Sequence, residues 1–408
     1  MALTSTDFMA APGLYGSGNQ PDRLDVSDVL AAILLTDTTT LGKIGMKGTA
    51  SNIEHFWFED ALNDVYVSIS LSADAENTSP IGYFSLLSSS TSVNQVLRSG
   101  ALVRADGYNQ VWKVITASVC TSLVAQSSTT VAVSAFPVLS SVALRCLVVA
   151  QPKPDTQTYS EDISRARTRR SNFTQVFERG IQIAETRKHV DLYAVKDELK
   201  LQIKNRTYEI KRELNNSIIN GQAWWVAAAT APTPDTESRT MCGLLDMIQD
   251  PSHSGTRQTA TVTSVSGALT MTSINGLVEN IFNRGGFDDQ SNCCIVVGPK
   301  QARVIALLEE GRIRRSNTEL VVGSYANKVK TDLGYDLDVI IDRWFPPDML
   351  MILDAARAGC MPLKGDSWHL ERMAKTNRTD GYQLSGQYTC FLNNAAEAHG
   401  LLKELSYT

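Results

Sequence analysis

Segment 172–221 constrains the fold most, because two hydrophobic periodicities follow each other within it. In its first part apolar and polar residues alternate, with Gln175 and Arg179 between the apolar positions. The apolar residues that share one parity are Phe173, Phe177, Ile181 and Ile183. This imperfect period of two predicts an extended strand that lies on a surface rather than in a core.

From Arg187 onward the period becomes helical, with one apolar stripe on an otherwise charged background. The stripe comprises Leu192, Val195, Leu199, Ile203, Ile210, Leu214 and Ile218. The pattern predicts one helix over 187–219, ended by Gly221 in the left-handed conformation that glycine tolerates best. At about 1.5 Å per residue such a helix spans about 50 Å, a length suited to a rod packed along a sheet.

Composition places the chain among folded proteins with two or three domains. It has 408 residues, of which 43% are hydrophobic and 20% are charged. The formal net charge of −5 provides no general attraction for phosphate backbones, so we expect no bulk nucleic-acid binding. Its apolar runs are shorter than the roughly 20 residues that cross a membrane, and the start lacks the pattern of a secretory signal. The seven cysteines show no CxxC spacing, which predicts buried, reduced thiols.

The amino-terminal half reads as an arm followed by short strands. Residues 1–24 are rich in Gly and Pro and lack periodicity, so they should become ordered only on another surface. Ser27 is a candidate cap for a short helix over 28–35, and 53–58 is an aromatic strand candidate. Several β-branched segments separated by turn residues lie within 93–150, which predicts a small β-barrel or sandwich.

The carboxyl-terminal half reads as mixed helix and strand. Ser273 is a candidate cap for a helix that carries Leu277, and Pro299 stands well placed at the start of another helix. Strands are predicted over Cys293–Val297, 338–341 and 350–353. The tail should add one or two late strands.

The sequence predicts no catalytic, cofactor or metal site. The five histidines occur in no zinc-binding spacing, and no glycine-rich phosphate loop is present. The adjacent Cys293 and Cys294 lie in an apolar run, which favours buried thiols over a nucleophile. One acidic cluster could hold a hard cation, although turn and strand-edge aspartates explain it better. Its members are Asp332, Asp336, Asp338 and Asp342.

One basic feature stands out between the predicted barrel and the long helix. It consists of Arg165, Arg167, Arg169 and Arg170. These residues could bind acidic groups of a neighbouring chain, lie in a solvated loop, or contact DNA. We favour the neighbouring chain, because four arginines are few for binding a DNA backbone and the rest of the chain is acidic.

In their order along the chain, several segments resemble the major capsid proteins of tailed bacteriophages, in the branch with a β-barrel inserted in the extended loop. The returning strand of that loop is matched by Arg-Ser-Asn-x-Thr-Gln at 170–175. The segments that carry the resemblance are 38–62, 167–190, 239–248, 296–308, 329–354 and 373–402.

The resemblance implies an α+β protein with the tailed-phage major capsid fold, or Johnson fold. Within it, the long helix becomes a spine helix with Leu192, Leu199, Ile203, Ile210, Leu214 and Ile218 as its core. The implied parts are an N-terminal arm (1–45), an extended loop (46–182) with the β-barrel insertion at about 93–150, a peripheral domain (183–245 and 355–408) with spine helix 187–219, and an axial domain (246–354).

The resemblance also implies the function of a non-enzymatic major capsid protein. Such a chain self-assembles through hexamers and pentamers into an icosahedral head shell around double-stranded DNA, without sequence-specific DNA binding. Its implied partners are copies of itself and scaffolding, portal and decoration proteins, with assembly in the host bacterial cytoplasm and a final place in the virion. A cellular compartment shell of the same fold and, more remotely, an α/β enzyme are the alternatives.

Overall fold

The computed structural model describes residues 38–60, 66–71, 81–86, 100–107, 111–116, 119–122, 144–152, 155, 167–189, 197–223, 238–251, 261–287, 292–309, 328–375 and 377–406. The helices in these ranges are α1 (Thr39–Ile44), α2 (Glu185–His189), α3 (Glu198–Asn220), α4 (Leu244–Gln249), α5 (Met271–Asn283) and α6 (Pro299–Glu309). The first nine strands are β1 (Glu54–Glu59), β2 (Tyr66–Leu71), β3 (Ile81–Leu86), β4 (Leu102–Ala105), β5 (Val111–Thr116), β6 (Val119–Ser122), β7 (Leu144–Ala150), β8 (Thr168–Phe173) and β9 (Gln175–Ala184). The others are β10 (Val262–Ala268), β11 (Cys293–Val297), β12 (Lys328–Lys330), β13 (Asp336–Ile341), β14 (Leu350–Asp354), β15 (Ala358–Pro362), β16 (His369–Arg372), β17 (Thr379–Leu392) and β18 (Gly400–Ser406).

A six-stranded mixed sheet has the order β10-β18-β14-β11-β13-β12, and all of its strands except β18 lie in the region predicted as the axial domain. Its central strand β11 is buried over its full length, as its continuous apolar run predicts. Cys293, Ile295 and Val297 pack on the α5 side of the sheet. Cys294 and Val296 pack on the other side, in the same core as the carboxyl-terminal half of α3. The predicted strand at Cys293–Val297 and the predicted helix start at Pro299 are confirmed.

A second sheet contains β15, β17, β16 and β9. The longest ladder joins β9 to β17, from Gln175 opposite Tyr388 to Ala184 opposite Thr379. The predicted alternation in β9 is confirmed, because Phe177, Ile181 and Ile183 are all buried. The prediction that this strand avoids the core was wrong, since Phe177 packs in the main core beneath α3.

The spine helix is α3, and it begins later than predicted. Asp197 has an extended backbone, and its side chain accepts a hydrogen bond from the Lys200 amide, so it caps a helix that starts at Glu198. Ile210, Leu214 and Ile218 are buried, whereas Leu199 and Ile203 are half-buried. Leu192 and Val195 lie outside the described residues. So do residues 1–37 of the predicted arm (1–45), including its predicted helix at 28–35.

Gly221 ends the spine helix for a different reason from the one predicted. Its φ of −56° is not left-handed, so the backbone conformation does not demand glycine. A Cβ at this position would instead lie 2.7 Å from the Met241 carbonyl oxygen and would also clash with that of Ser217. Gly221 therefore permits a close approach between two backbone segments.

Strands β2 to β7 form a closed barrel in the order β2-β3-β6-β5-β4-β7. Its buried side chains include Val103, Trp112, Val114 and Cys146. The barrel begins at Tyr66, earlier than the predicted start near residue 93, because β2 and β3 complete the ring. A ring of strands leaves no unpaired edge.

Two further predictions need correction. Thr270 rather than Ser273 caps α5, because the Thr270 hydroxyl accepts from the Ser273 amide. Strand β18, predicted within the peripheral domain, pairs with β10 and β14 in the six-stranded sheet. Among the described residues, six cysteines are buried and form no disulfide, as predicted: Cys146, Cys242, Cys293, Cys294, Cys360 and Cys390.

Candidate assembly surface

Strands β1 and β8 form a two-stranded antiparallel ribbon that leads to and from the barrel. Residues directly opposite each other in such a pair share a face. Trp57 lies opposite Arg170, and Phe58 lies opposite Arg169, so the two pairs occupy opposite faces of the ribbon. One face is packed on the protein and the other is open to solvent.

The inner face is anchored by a buried ion pair. Arg170 Nε lies 3.0 Å from Glu59 Oε2, and a second guanidinium nitrogen of Arg170 donates to the Pro251 carbonyl oxygen at 3.0 Å. Glu59 Oε1 also accepts from Trp57 Nε1 at 3.2 Å and from the Asn394 amide at 2.7 Å. The charges are therefore satisfied by several hydrogen bonds, which a buried pair requires.

Asn172 provides a second anchor on the same inner face and is almost fully buried. Its Nδ2 donates to the carbonyl oxygens of Cys242 and Cys390 at 3.0 and 2.7 Å. Its Oδ1 accepts from the amides of Cys242 and Phe173 at 2.8 and 2.9 Å. The Asn172 side chain thus connects β8 by hydrogen bonds to β17 and to the segment before α4. The sequence motif at 170–175 includes Asn172, but the motif alone did not predict this role. The feature that could have indicated it is an asparagine inside a strand, where this residue is rare.

The outer face of the ribbon is aromatic and basic. Phe58 is 69% exposed and Phe56 is 38% exposed. The Arg169 guanidinium carbon lies 4.6 Å from the centroid of the Phe56 ring, a cation–π distance. Among the described strands, β1 and β8 form a ladder only with each other.

The predicted arginine group does not act as one unit. Arg165 lies outside the described residues, and Arg167 forms an exposed ion pair with Asp60 at 3.4 Å. Arg169 and Arg170 stand in strand β8 rather than in a loop, and their side chains lie on opposite faces. Arg170 is committed to contacts within the chain. Arg167 and Arg169 remain exposed, and a role for them between subunits stays a prediction.

The four aspartates of the acidic cluster do not converge. Asp338 Oδ2 and Oδ1 each lie 3.3 Å from a lysine, Lys43 and Lys328 respectively, and Asp336 lies 4.0 Å from Lys330. Asp342 is fully buried and accepts hydrogen bonds instead. In the described part of the chain, no three His, Cys, Asp or Glu side chains form a group that could hold a metal ion. No described helix is long and apolar enough to cross a membrane.

Asp342 joins three distant parts of the chain. Its Oδ2 accepts from the Thr39 and Thr40 hydroxyls at 2.9 and 2.8 Å, from the Thr40 amide at 3.2 Å and from Asn215 Nδ2 at 3.0 Å. Its Oδ1 accepts from the Trp344 amide at 2.9 Å. Burial by itself would raise the pKa of Asp342, but these hydrogen bonds outweigh it and hold the pKa below its ordinary value. The carboxylate thereby fixes α1 against the spine helix.

Comparison with known proteins identifies the family. The model of the SU10 major capsid protein family matches residues 5–406, nearly the whole chain. The capsid of an empty GTA particle is 12% identical, with a TM-score of 0.51, and the match covers 96% of this chain and 98% of that chain. The capsid of cyanophage A-1(L) is 11% identical, with a TM-score of 0.48 and coverage of 93% and 96%. The SrpI encapsulin of Synechococcus elongatus is 12% identical, with a TM-score of 0.40 and coverage of 59% and 77%.

No curated protein sequence matches the chain. The structural likeness to the GTA capsid is in the fold, and it confirms the predicted α+β capsid fold. The family match extends over all the elements described above, from α1 to β18. The chain therefore belongs to the SU10 major capsid protein family.

Proposed function

We propose that this major capsid protein self-assembles through hexamers and pentamers into an icosahedral head shell that encloses double-stranded DNA. The observation that carries the proposal is the β1–β8 ribbon, with its anchored inner face and its open outer face. The exposed Phe58 and Phe56 give an apolar surface that another chain can cover. Rings in which every copy reuses the same surface are how one chain closes a shell.

The role is structural rather than catalytic, and the DNA is enclosed without being read. The family to which the chain belongs is defined by a shell-forming protein, and the acidic net charge supports a container rather than a DNA-binding protein. Its partners are further copies of itself, together with scaffolding, portal and decoration proteins. Assembly takes place in the host bacterial cytoplasm, and the product is the virion capsid.

The ribbon surface can be tested with a matched pair of variants. Phe58→Thr removes the most exposed aromatic of the ribbon but keeps a residue that favours strands. Val149→Thr makes the same kind of change at a half-exposed barrel position, Val149 in β7. We expect Phe58→Thr to reduce the yield of closed particles seen by electron microscopy, with no change in the urea midpoint of the subunit. Val149→Thr should assemble as the wild type does.

The shell itself is tested by expression of the full chain with its scaffolding partner. We expect closed particles. A protein that stays a stable monomer under these conditions would contradict assembly. In particles purified from the cells that naturally produce them, nuclease-protected DNA would support a viral head, and its absence would favour a cellular compartment shell.

A further inference from the structure

Two cysteines face each other across the second sheet. Cys360 in β15 is directly opposite Cys390 in β17. The Cys360 amide donates to the Gly45 carbonyl oxygen at 3.1 Å, and the Cys360 carbonyl oxygen accepts from the Lys47 amide at 2.8 Å. Both backbone groups of Cys360 therefore point away from β17, so Cys360 and Cys390 form a non-hydrogen-bonded pair.

This kind of pair has the geometry that a disulfide needs. Opposite Cα atoms in a non-hydrogen-bonded antiparallel pair lie about 4.5 Å apart, and disulfides join Cα atoms about 4.4–6.8 Å apart. The two side chains share a face of the sheet, and both residues are fully buried in one core. A bond between their sulfur atoms therefore requires no change of register.

The surroundings favour the protonated form of both thiols. Cys390 Sγ donates to the Cys242 carbonyl oxygen at 3.0 Å, and Asn172 Nδ2 lies 3.6 Å from the same sulfur. Burial raises the pKa of Cys360 to about 12, and burial followed by the neighbouring Cys360 raises the pKa of Cys390 as well. Since the thiolate is the reactive form, oxidation at neutral pH should be slow.

We propose that Cys360 and Cys390 are an oxidative modification site at which hydrogen peroxide produces a cross-strand disulfide. One thiolate sulfur attacks an oxygen of hydrogen peroxide, the O–O bond breaks, and the departing hydroxide takes up a proton to leave as water. The resulting sulfenic acid is attacked by the second sulfur, its S–O bond breaks, and the hydroxide leaves as water with the proton of that thiol. Two thiols lose two hydrogen atoms, and one molecule of hydrogen peroxide is reduced to two of water.

The disulfide would lock a defined part of the fold. It would join β15 to β17 and close the intervening chain, which contains β16, into a covalent loop. The segment at residues 45–50 is bonded to the other edge of β15, through Cys360 and through the Ala50 amide and the Pro362 carbonyl oxygen. The oxidised subunit should therefore resist unfolding at the place where the amino-terminal segment docks.

The site is tested on the full-length wild-type protein with hydrogen peroxide. After alkylation of the remaining thiols, digestion and mass spectrometry should recover a Cys360–Cys390 linked peptide. A reductant should release the link and reverse an upward shift of the urea midpoint. Below the thiol pKa, the rate of linkage should rise about tenfold per pH unit as the thiolate fraction rises.

Variants identify the pair that reacts. Cys360→Ala should abolish the link, whereas Cys242→Ala should leave it intact; Cys242 is the residue whose carbonyl oxygen accepts from Cys390 Sγ. A Cys242–Cys390 link in the wild type would overturn the proposal. The proposal would also be overturned if both thiols stayed unoxidised after prolonged exposure of the folded protein to hydrogen peroxide. The control is the urea-unfolded chain, which must be oxidised under the same conditions.

Discussion

Asn215 Nδ2 donates a hydrogen bond of 3.0 Å to Asp342 Oδ2 in the interior of the protein, and so connects the spine helix to the end of β13. The amide has a second partner, because Asn215 Oδ1 accepts from the Leu41 amide at 2.9 Å in α1. The spine helix therefore holds the first helix and the six-stranded sheet through one buried polar pair. Buried polar networks of this kind stabilise only when all their members are satisfied.

Asp342→Asn should destabilise the subunit at neutral pH by about 2 kcal/mol, because hydrogen bonds to a charged group are lost. The pKa of Asp342 is lowered in the folded state, so its contribution is present above its unfolded value of about 3.9 and is lost as the pH falls through the lowered value. Urea unfolding at a series of pH values measures this. Wild-type and variant stabilities should converge in acid, and Asp336→Asn, at an exposed position, is the control. A constant gap at every pH would show that the charge of Asp342 is unimportant.

Gly221→Ala should be severely destabilising, whereas Gly276→Ala should stabilise. The new Cβ at Gly221 meets backbone atoms, including the Met241 carbonyl oxygen at 2.7 Å, which cannot move aside as a flexible side chain would. At Gly276, within helix α5, nothing lies within 4 Å, so alanine should add about 0.5–1 kcal/mol through helix propensity. Thermal unfolding of the two variants compares them directly. Equal changes in thermal stability for the two variants would mean that the backbone around residue 221 can move apart with no loss of stability.

Ile210→Ala should cost about 2–5 kcal/mol, as expected for truncation of a buried aliphatic side chain. Ile210 is 1% exposed and packs in the main core, whereas Lys204 on the same helix is exposed. Lys204→Ala should change stability by less than about 0.5 kcal/mol. Ile203→Ala should fall between the two, because Ile203 is half-buried. Urea midpoints rank the stabilities of the three variants. If Ile210→Ala left stability unchanged, the assignment of this part of the spine helix to the core would be contradicted.

Arg170→Ala and Arg169→Ala should affect different properties, although the residues are adjacent. Arg170→Ala leaves Glu59 buried without its cation, which should cost about 3 kcal/mol of subunit stability. Arg169→Ala removes only an exposed contact with Phe56, so subunit stability should change little. If Arg169 contacts a neighbouring subunit, its loss should lower particle yield, with a greater loss at higher salt because the remaining surface charge pairs are then screened. Urea unfolding and particle counts separate the two effects; similar stability losses would refute the assignment of opposite faces.

The sequence by itself determined the elements in which the pattern of apolar and polar residues indicates which side chains are buried. The alternation of Phe177, Ile181 and Ile183 predicted strand β9, and the apolar run Cys293–Val297 predicted a strand that contains buried thiols. The order of the family-like segments predicted the capsid fold. For the two strands a short window of sequence is sufficient, because hydrophobic periodicity depends on which side of one element faces the core.

Only the tertiary structure decided the features that depend on residues far away in the chain. The charged pattern runs unbroken through Asp197, so the sequence placed the helix start too early, and the capping bond to Lys200 marks the true start. Glycine is required at 221 because the backbone of Met241 lies too close for a Cβ atom. Arg170 has a structural role because it pairs with Glu59 in another strand. The role of Asp342 depends on its hydrogen-bond partners on α1 and the spine helix. The place of β18 depends on the sheet in which it pairs with β14. Local periodicity specifies which face is buried, but the partner on that face is chosen by packing and hydrogen-bond satisfaction across the whole chain.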